Sequence, residues 1–250
     1  MIYAVANQKG GVGKTTTTVN VAACLADMGF RVLLVDLDPQ ANASSGLGFR
    51  GDDGLTIADV ILDGAPLRAA IRATKVANLD IVRSHPDLSS AAVELPGRDG
   101  RERILEHAVA EVRDEYDYIV IDCPPSLDLL AVNALTAADR LIIPVQCEYY
   151  ALEGLSRLMD TIIGVRTHLN PRLGLGGLLL TMHDSRTRVS GDVVAEVRRH
   201  FPDAVFATVV PRNVRIIEAP SYGEPVTRYD PHCAGAQAYV DVAKEVVARG

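Results

Sequence analysis

Residues 8–16 read QKGGVGKTT, and this glycine-rich stretch lies between an apolar run at 2–6 (IYAVA) and a helical pattern that starts near residue 14. Glycines allow successive backbone N–H groups to converge on phosphate oxygens, and the start of a helix adds partial positive charge. Lys14 can reach the β- and γ-phosphates of a nucleotide, and the Thr15 hydroxyl can bind Mg²⁺. The pattern therefore predicts a phosphate-binding loop. It departs from GxxxxGK[ST] at the first position, where Gln8 replaces glycine and Lys9 follows.

Two further apolar runs end in carboxylates. The segment VDLDPQ at 35–40 places Asp36 and Asp38 at the end of a predicted strand, and YIVIDCPP at 118–125 ends its strand in Asp122. An apolar strand that ends in aspartate is the Walker B pattern, in which the carboxylate binds Mg²⁺ through water. Carboxylates beside a triphosphate can also orient an attacking water molecule. Because ligands of such sheets bind beyond the carboxyl ends of the strands, the three motifs together predict one nucleotide site.

Short β-branched runs alternate with helical patterns along the chain. Strands of continuous apolar residues indicate burial on both faces, and the alternation indicates a mostly parallel sheet covered by helices. We therefore predict one α/β domain over residues 1–250, with a mostly parallel twisted sheet flanked by helices on both faces. The predicted strands lie at 2–6, 31–36, 79–83, 118–122, 141–145, 176–181 and 205–210. The predicted helices lie at about 14–28, 56–62, 100–115, 126–137, 151–168, 190–200 and 235–248.

Two local patterns refine this prediction. Thr56 and Asp59 have the spacing of a capping box at the start of the short helix over 56–62. The stretch 39–55 (PQANASSGLGFRGDDGL) is rich in Gly, Ser, Asn and Asp, which predicts a mobile surface loop and not a domain boundary.

Composition and charge exclude several classes of protein. The 250 residues are 48% hydrophobic and 23% charged, which excludes a disordered chain, and the scarcity of aromatic residues (5%, without Trp) predicts an aliphatic core. The net charge of −7 argues against a dedicated nucleic-acid coat. Residues 181–250 nevertheless carry nine basic and nine acidic residues, so this last part is neutral and leaves room for a local basic patch.

The cysteines and the apolar runs indicate a cytoplasmic protein. Cys24, Cys123, Cys147 and Cys233 form no CxxC pair and each lies in an apolar stretch, so we expect buried free thiols. The N-terminal sequence lacks the basic and apolar segments of a signal peptide, and no apolar run approaches the roughly 20 residues of a membrane span.

The segments KGGVGKTT, VDLDPQAN and IDCPPS resemble the ATPases with a deviant Walker A motif, and among them the ParA/Soj chromosome- and plasmid-partition ATPases. Two more segments support the resemblance, VQCEYYALEG at 145–154 and PRNVRIIEAPSYGEPV at 211–226. The resemblance implies a weak ATPase in which ATP and Mg²⁺ drive a homodimer with the nucleotides sandwiched between its subunits. It further implies that the dimer binds double-stranded DNA non-specifically at the nucleoid. A centromere-binding partner of the ParB/Spo0J type would stimulate hydrolysis and release the DNA.

The resemblance also assigns roles to single residues. Lys9 matches the signature lysine that reaches the nucleotide of the opposite subunit, and such a cation offsets the charge of two facing triphosphates. Lys14 matches the phosphate-loop lysine, and Asp38 matches the carboxylate that positions the attacking water. The metal-binding positions are Thr15, Asp122 and, in a supporting role, Asp36. The other nucleotide-binding positions are Gly10, Gly11, Val12, Gly13 and Thr16 in the loop, and Met182, Pro211 and Asn213 around the adenine.

Basic residues of the last third are the candidates for DNA contact. A DNA-binding surface that ignores sequence needs only to neutralise phosphates, so its affinity falls steeply with salt. Arg215 is the foremost candidate, because related partition ATPases use basic residues in this region, and Arg186 and Arg188 are the next two. A solvated surface arginine is the alternative interpretation for each. The wider set of candidates also includes Arg198, Arg199 and Arg212.

Four other functions remain as alternatives. A MinD-like membrane-associated ATPase would need a basic amphipathic C-terminal helix, whereas GAQAYVDVAKEVVARG is neutral. An electron-transfer protein of the nitrogenase iron-protein kind would need a second cysteine beyond Cys123. A metabolic kinase or synthetase would need a pocket for an acceptor substrate, which the sequence does not reveal. An orphan ATP switch that binds only a protein partner would differ from a partition ATPase in its turnover.

Overall fold

A computed structural model describes residues 1–51, 53–148 and 153–250, without the side chains of residues 153–157. Within the described residues, seven strands form one sheet in the order β3-β4-β2-β5-β1-β6-β7. All neighbours are parallel except the edge pair β3 and β4, which is antiparallel. The strands are β1 (Ile2–Val5), β2 (Val32–Asp36), β3 (Ile71–Ala73), β4 (Leu79–Val82), β5 (Tyr118–Asp122), β6 (Arg140–Gln146) and β7 (Gly174–Thr181).

Helices cover both faces of this sheet. Side chains alternate along β2, so that Leu33 and Val35 face one hydrophobic cluster while Val32 and Leu34 face the other. The helices described are α1 (Lys14–Asp27), α2 (Asn42–Gly46), α3 (Ile57–Asp63), α4 (Leu67–Ala70), α5 (Ala91–Glu94), α6 (Ile104–Ala110), α7 (Leu129–Ala137), α8 (Glu153–His168), α9 (Arg188–His200), α10 (Val214–Glu218), α11 (Val226–Tyr229) and α12 (Ala234–Arg249). The predicted fold class is confirmed.

Most predicted elements are confirmed, with their ends set by local hydrogen bonds. The Thr56 N–H and hydroxyl donate to Asp59 Oδ2 at 2.7 and 2.8 Å, which is the predicted capping box at the start of α3. The helix predicted from residue 126 begins at Leu129, because the Asp128 carboxylate caps it. The helix predicted over 100–115 is broken into α6 flanked by two 3₁₀ turns, 101–103 and 113–115.

The strand predicted over 205–210 is wrong. This segment runs beside β7 and forms bridges at its two ends, Leu178 with Val205 and His183 with Pro211. Between them the N–H groups of Ala207 and Thr208 donate to the Glu245 carboxylate of α12, at 2.7 and 2.8 Å. A carboxylate more than 35 residues away in sequence therefore replaces the strand partner, and such a long-range competitor has no local sequence signal.

The loop predicted over 39–55 is more ordered than expected. Residues 42–46 form α2, and the Ser44 side chain is buried. The Arg83 guanidinium, itself 4% exposed, holds the far end of the loop by donating to the Gly51 and Asp53 carbonyls. The prediction of a mobile surface loop is therefore wrong for the first half of this segment. The polar composition of the segment did not reveal that one of its serines is buried.

The thiol predictions are confirmed, with one refinement. All four cysteines are free, and three of them are buried while Cys233 is partly exposed at the start of α12.

Of the predicted helix over 151–168 the structure describes α8, and positions 149–152 of the segment VQCEYYALEG lie outside the described residues. Among the described residues, none of the helices combines the length and the apolar character needed to cross a membrane.

Candidate functional site

The carboxyl ends of β1, β2 and β5 bring the three sequence motifs together. Asp36 is the register partner of Asp122, and Val5, the last residue of β1, is the other neighbour of Asp122. The Leu37 N–H donates to the Asp122 carbonyl at 3.0 Å, which fixes the exit from β2. The predicted convergence of the motifs at one edge of the sheet is confirmed.

The phosphate loop has the conformation that its glycines allow. Gly11 and Gly13 have φ values of +73° and +90°, in the left-handed region that a side chain disfavours. Gly13 is also the N-cap of α1, so no side chain covers the N–H groups of the first turn, which remain available to an anion. Neighbouring strands hold the loop, because the Thr181 hydroxyl at the end of β7 donates to the Val12 carbonyl at 2.8 Å and Asn7 Nδ2 donates to the Pro144 carbonyl of β6 at 2.7 Å. Asn7 in turn accepts from the Lys9 N–H through its Oδ1 at 3.0 Å.

The two loop lysines lie in different environments. Lys14 is only 7% exposed, and its Nζ donates to the Lys9 carbonyl at 3.1 Å. Burial lowers the pKa of Lys14, while the neighbouring Asp122 opposes this shift. The Lys9 side chain is exposed at the rim of the site. The Lys14 ammonium therefore lies inside the phosphate loop, whereas the Lys9 side chain is exposed to solvent.

Asp122 is a buried carboxylate with one oxygen unused. Its Oδ1 accepts from the Thr18 hydroxyl at 2.9 Å, while Oδ2 has no hydrogen-bond partner among the described residues. Burial and the nearby Asp36 raise the pKa of Asp122 to about 8, and the Thr15 hydroxyl moderates this rise. A buried oxygen without a partner is costly, and a divalent cation is a ligand that satisfies it. Thr15 and Asp122 thus fit a magnesium site.

The number of protein ligands suits magnesium held with a nucleotide. The described residues contain no group of three or more His, Cys, Asp and Glu side chains that could hold a metal by themselves. Magnesium at phosphate sites takes one or two ligands from the protein and the rest from phosphates and water. The residues present therefore fit a cation that arrives with its phosphates.

Asp36 lies beside this site with its oxygens already engaged. Its Oδ2 accepts from the Ser44 hydroxyl and from the Ser44 N–H, at 2.7 and 2.8 Å, and its Oδ1 accepts from the Asp38 N–H at 3.3 Å. Burial raises the pKa of Asp36 to about 6 despite these hydrogen bonds. Asp36 therefore lies beside Asp122 with both oxygens engaged by Ser44 and Asp38, and its supporting role at a metal ion stays a prediction.

Asp38 completes the polar side of the site. It is 6% exposed, it lines the main cavity, and its Oδ1 accepts from the Gln40 N–H at 3.0 Å. That cavity has a volume of about 500 Å³, and the phosphate loop and α2 form two of its walls. A carboxylate held in this position can orient water towards a phosphate in the cavity.

A second cavity of about 390 Å³ adjoins the first and shares part of its lining. Met182, Pro211 and Asn213, the residues predicted around the adenine, all line it, together with apolar side chains such as Ile216 that the sequence analysis did not single out. Met182 has a φ of +54°, which is unusual for a residue with a side chain. An apolar slot next to a phosphate loop suits a nucleobase.

The candidate DNA-binding arginines are exposed but not bare. Arg186 pairs with Asp184 at 2.7 Å, and Arg188 lies 3.6 Å from Asp192. Arg215, the foremost candidate, is held by carboxylates on two sides. Its partners are Glu218 at 2.9 Å and Asp230 at 3.3 Å, and Arg212 likewise pairs with Glu148. The guanidinium groups would have to exchange these partners for phosphates, a competition that the sequence did not reveal.

Sequence reasoning missed two hydroxyl groups of the site. Thr18 lies one helical turn after Lys14 on α1, and this spacing was the available signal that it faces Asp122. Ser44 lies two residues after the end of VDLDPQAN, yet its contact with Asp36 depends on the fold of α2.

Comparisons with known proteins agree with this geometry. Residues 1–175 match the family model described as "AAA domain". The chain is 54% identical over 250 residues to the sporulation initiation inhibitor protein Soj of Bacillus subtilis, covering 100% of this chain and 99% of Soj. It is 50% identical to the chromosome partitioning protein ParA of Caulobacter vibrioides, over 99% and 94% of the two chains. It also resembles the crystal structure of cobyrinic acid a,c-diamide synthase from Mycobacterium smegmatis with bound ADP and magnesium. That match has a TM-score of 0.85 and 38% identity over 97% of this chain and 92% of the synthase.

Asp122→Asn is expected to stabilise the protein when nucleotide is absent and EDTA is present. The folded state raises the pKa of Asp122 from about 4 to about 8, so its ionisation removes stability as the pH rises through this interval. Asparagine stays neutral throughout. The gain in the free energy of unfolding should be small at pH 5 and about 1–2 kcal/mol at pH 8.

Urea unfolding at both pH values measures this gain. The control is Asp241→Asn, which changes an exposed carboxylate paired with Lys244 and should alter stability by less than about 0.5 kcal/mol at either pH. If the gain in stability at pH 8 is no larger than the gain at pH 5, the raised pKa assigned to Asp122 is contradicted.

Proposed function

Because the chain belongs to the family of the Soj and ParA chromosome-partitioning ATPases, we propose that it is an ATP-driven switch for DNA segregation. ATP and Mg²⁺ bind at the edge of the sheet and bring two copies together. The dimer binds DNA without regard to sequence, and hydrolysis resets it. A ParB/Spo0J-type partner stimulates that hydrolysis, and the protein acts in the cytoplasm at the nucleoid.

The unpartnered Asp122 oxygen, buried beside an open phosphate loop, is the observation that carries the nucleotide part of this proposal. The loop N–H groups and the Lys14 ammonium bind the phosphates, and Thr15 and Asp122 hold the magnesium ion. The bound cation neutralises charge on the phosphates. Asp38 orients the attacking water, while the apolar slot at Met182 accepts the base.

The exposed side chain of Lys9 supports a dimer joined through the nucleotides. It lies at the rim of the loop, whereas the Lys14 ammonium lies inside the loop, where it binds the phosphates of the nucleotide in the same subunit. Two such sites that face each other place many negative charges close together. A lysine contributed by each copy to the other offsets that repulsion, so dimerisation depends on bound triphosphate.

Non-specific DNA binding follows from doubling a modest set of arginines. The single chain has a net charge of −7, and the candidate arginines are paired with carboxylates. A dimer presents two copies of Arg186, Arg188 and Arg215 at once. Several weak phosphate contacts then add up, and DNA binding becomes dependent on ATP.

The structure gives no support to the membrane-associated alternative. The apolar side chains of α12, including Tyr239, Val242 and Val246, are buried in the cluster that also contains α1. That helix therefore has no free apolar face for a lipid surface. The synthase alternative has a relative at 38% identity, whereas the partitioning proteins share half of their residues with this chain over its whole length.

Lys9→Ala is expected to bind ATP but to remain a monomer. The substitution removes only the exposed lysine, so affinity for a fluorescent ATP analogue should stay within about threefold of the native value, while ATP turnover falls at least about tenfold. Lys14→Ala is the reference variant and should lose ATP binding, because its ammonium lies inside the loop. Light scattering with ATP·Mg²⁺ gives the oligomeric state, and phosphate release gives the turnover.

Two results would contradict the proposal. A stable ATP dimer of Lys9→Ala would rule out the role in the opposite subunit. Native protein that binds ATP without any turnover would favour the orphan switch over the partition ATPase.

Arg215→Ala is expected to weaken retention of random-sequence DNA by the ATP form. The slope of the logarithm of the binding constant against the logarithm of the salt concentration should become shallower by about one unit for each lost phosphate contact. Glu218→Gln is the matched variant of opposite sign, since it removes a competitor 2.9 Å from the Arg215 guanidinium and should strengthen retention. Filter binding over a salt series measures both. Unchanged retention in Arg215→Ala and in Arg186→Ala would exclude this surface.

A further inference from the structure

We propose that Ser44 is a positioning residue for ATP hydrolysis, which acts on Asp38 through a buried hydrogen-bond chain that starts at Ser84 and passes through Asp36. This inference rests on the proposed ATPase function and adds a residue to it. Ser44 is 3% exposed and is not among the residues that line the nucleotide cavity. Its effect must therefore pass through its neighbours.

The hydrogen bonds of Ser44 fix its hydroxyl in one orientation. The Ser84 N–H, at the end of β4, donates to Ser44 Oγ at 3.0 Å. Because an N–H group can only donate, Ser44 Oγ turns its own proton to Asp36 Oδ2, 2.7 Å away. The Ser44 N–H donates to the same oxygen at 2.8 Å. One serine thus joins the ends of β4 and β2 to the start of α2.

The hydrogen-bond chain continues from the Asp36 carboxylate to the backbone N–H of Asp38. With Oδ2 held by Ser44, the Asp36 carboxylate presents Oδ1 to the Asp38 N–H at 3.3 Å. The Asp38 carbonyl accepts from the Ala41 N–H at 2.8 Å, so the turn that carries Asp38 closes directly onto α2. Ala41 has a φ of +52°, a strained value for alanine. The anchor at Ser44 holds this strained turn in place.

Loss of the Ser44 hydroxyl would weaken the hydrogen-bond chain at both ends and leave only the Ser44 N–H to hold Asp36 Oδ2. The buried Asp36 carboxylate would lose a charge-assisted hydrogen bond next to Asp122, and the Ser84 N–H would lose its acceptor. The phosphate loop has separate anchors, at Asn7 and Thr181. Nucleotide binding should therefore survive a change that misplaces Asp38.

The test compares Ser44→Ala with three reference proteins in the full-length chain. The native protein and Asp38→Ala set the upper and lower limits of turnover. Thr136→Val is the matched control, because it also removes a buried hydroxyl, which bonds the Val132 carbonyl at 2.7 Å on α7, away from the site. Each protein is assayed for kcat, for the dissociation constant of a fluorescent ATP analogue and for Tm. Ser44→Thr, which keeps the hydroxyl, is added as a rescue variant.

Ser44→Ala should lower kcat by about 10–100-fold while the dissociation constant for the ATP analogue changes by less than about threefold. Thr136→Val should leave both values near native, and Ser44→Thr should recover most of the lost kcat. A kcat for Ser44→Ala within twofold of native would overturn the inference. So would a parallel loss of ATP binding and Tm, since that would mark a general structural role.

Failure of the proposed function gives a different result. If the native protein does not hydrolyse ATP, or if Asp38→Ala hydrolyses it as fast as native, the ATPase assignment itself fails. If native protein and Asp38→Ala behave as proposed and Ser44→Ala keeps native kcat, only the role of Ser44 fails.

Discussion

Two buried carboxylates at neighbouring strand ends are the constraint on which the rest of the site depends. Asp36 and Asp122 are register partners on β2 and β5, and both are fully buried. Burial raises the cost of ionising each carboxyl group, and the charge of Asp36 raises it further for Asp122. Hydrogen bonds from Ser44 and Thr18 offset part of that cost, and one oxygen of Asp122 remains without a partner. A divalent cation would satisfy this oxygen, so binding of nucleotide together with magnesium would lower the energetic cost of the buried carboxylates.

Hydrogen bonds from several strands hold the phosphate loop and the turn that carries Asp38 at this edge of the sheet. A parallel sheet with buried strands delivers the motif ends to one side, and helices on both faces leave that side open. Thr181 at the end of β7 fastens the phosphate loop, and Ser84 at the end of β4 fastens the turn that carries Asp38. The two halves of the site thus have separate supports, and for this reason we expect substitutions to affect nucleotide binding and hydrolysis separately.

The sequence predicted what depends on neighbouring residues, and it failed where distant residues compete. The phosphate loop, its left-handed glycines and the aspartates at strand ends carry local signals, so the fold class and the location of the site could be predicted. The missing strand at 205–210 depends on Glu245, which is distant in sequence but takes two of the segment's N–H groups. The carboxylates beside the arginines have both origins, because Asp184 and Glu218 lie within three residues of Arg186 and Arg215, whereas Asp230 reaches Arg215 only through the fold.

The coupling of ATP binding to dimerisation and to DNA binding can be tested on Asp38→Ala. Light scattering gives its oligomeric state with ATP·Mg²⁺ and with ADP, and each eluted peak is then assayed for retention of random-sequence DNA. This variant keeps the phosphate loop and the magnesium-binding residues but lacks the carboxylate that orients water, so it should hold the triphosphate state. We expect a dimer with ATP but not with ADP, and DNA retention only by that dimer. A monomer in both nucleotide states would contradict it, because the buried carboxylates and the exposed Lys9 would then not couple ATP to assembly.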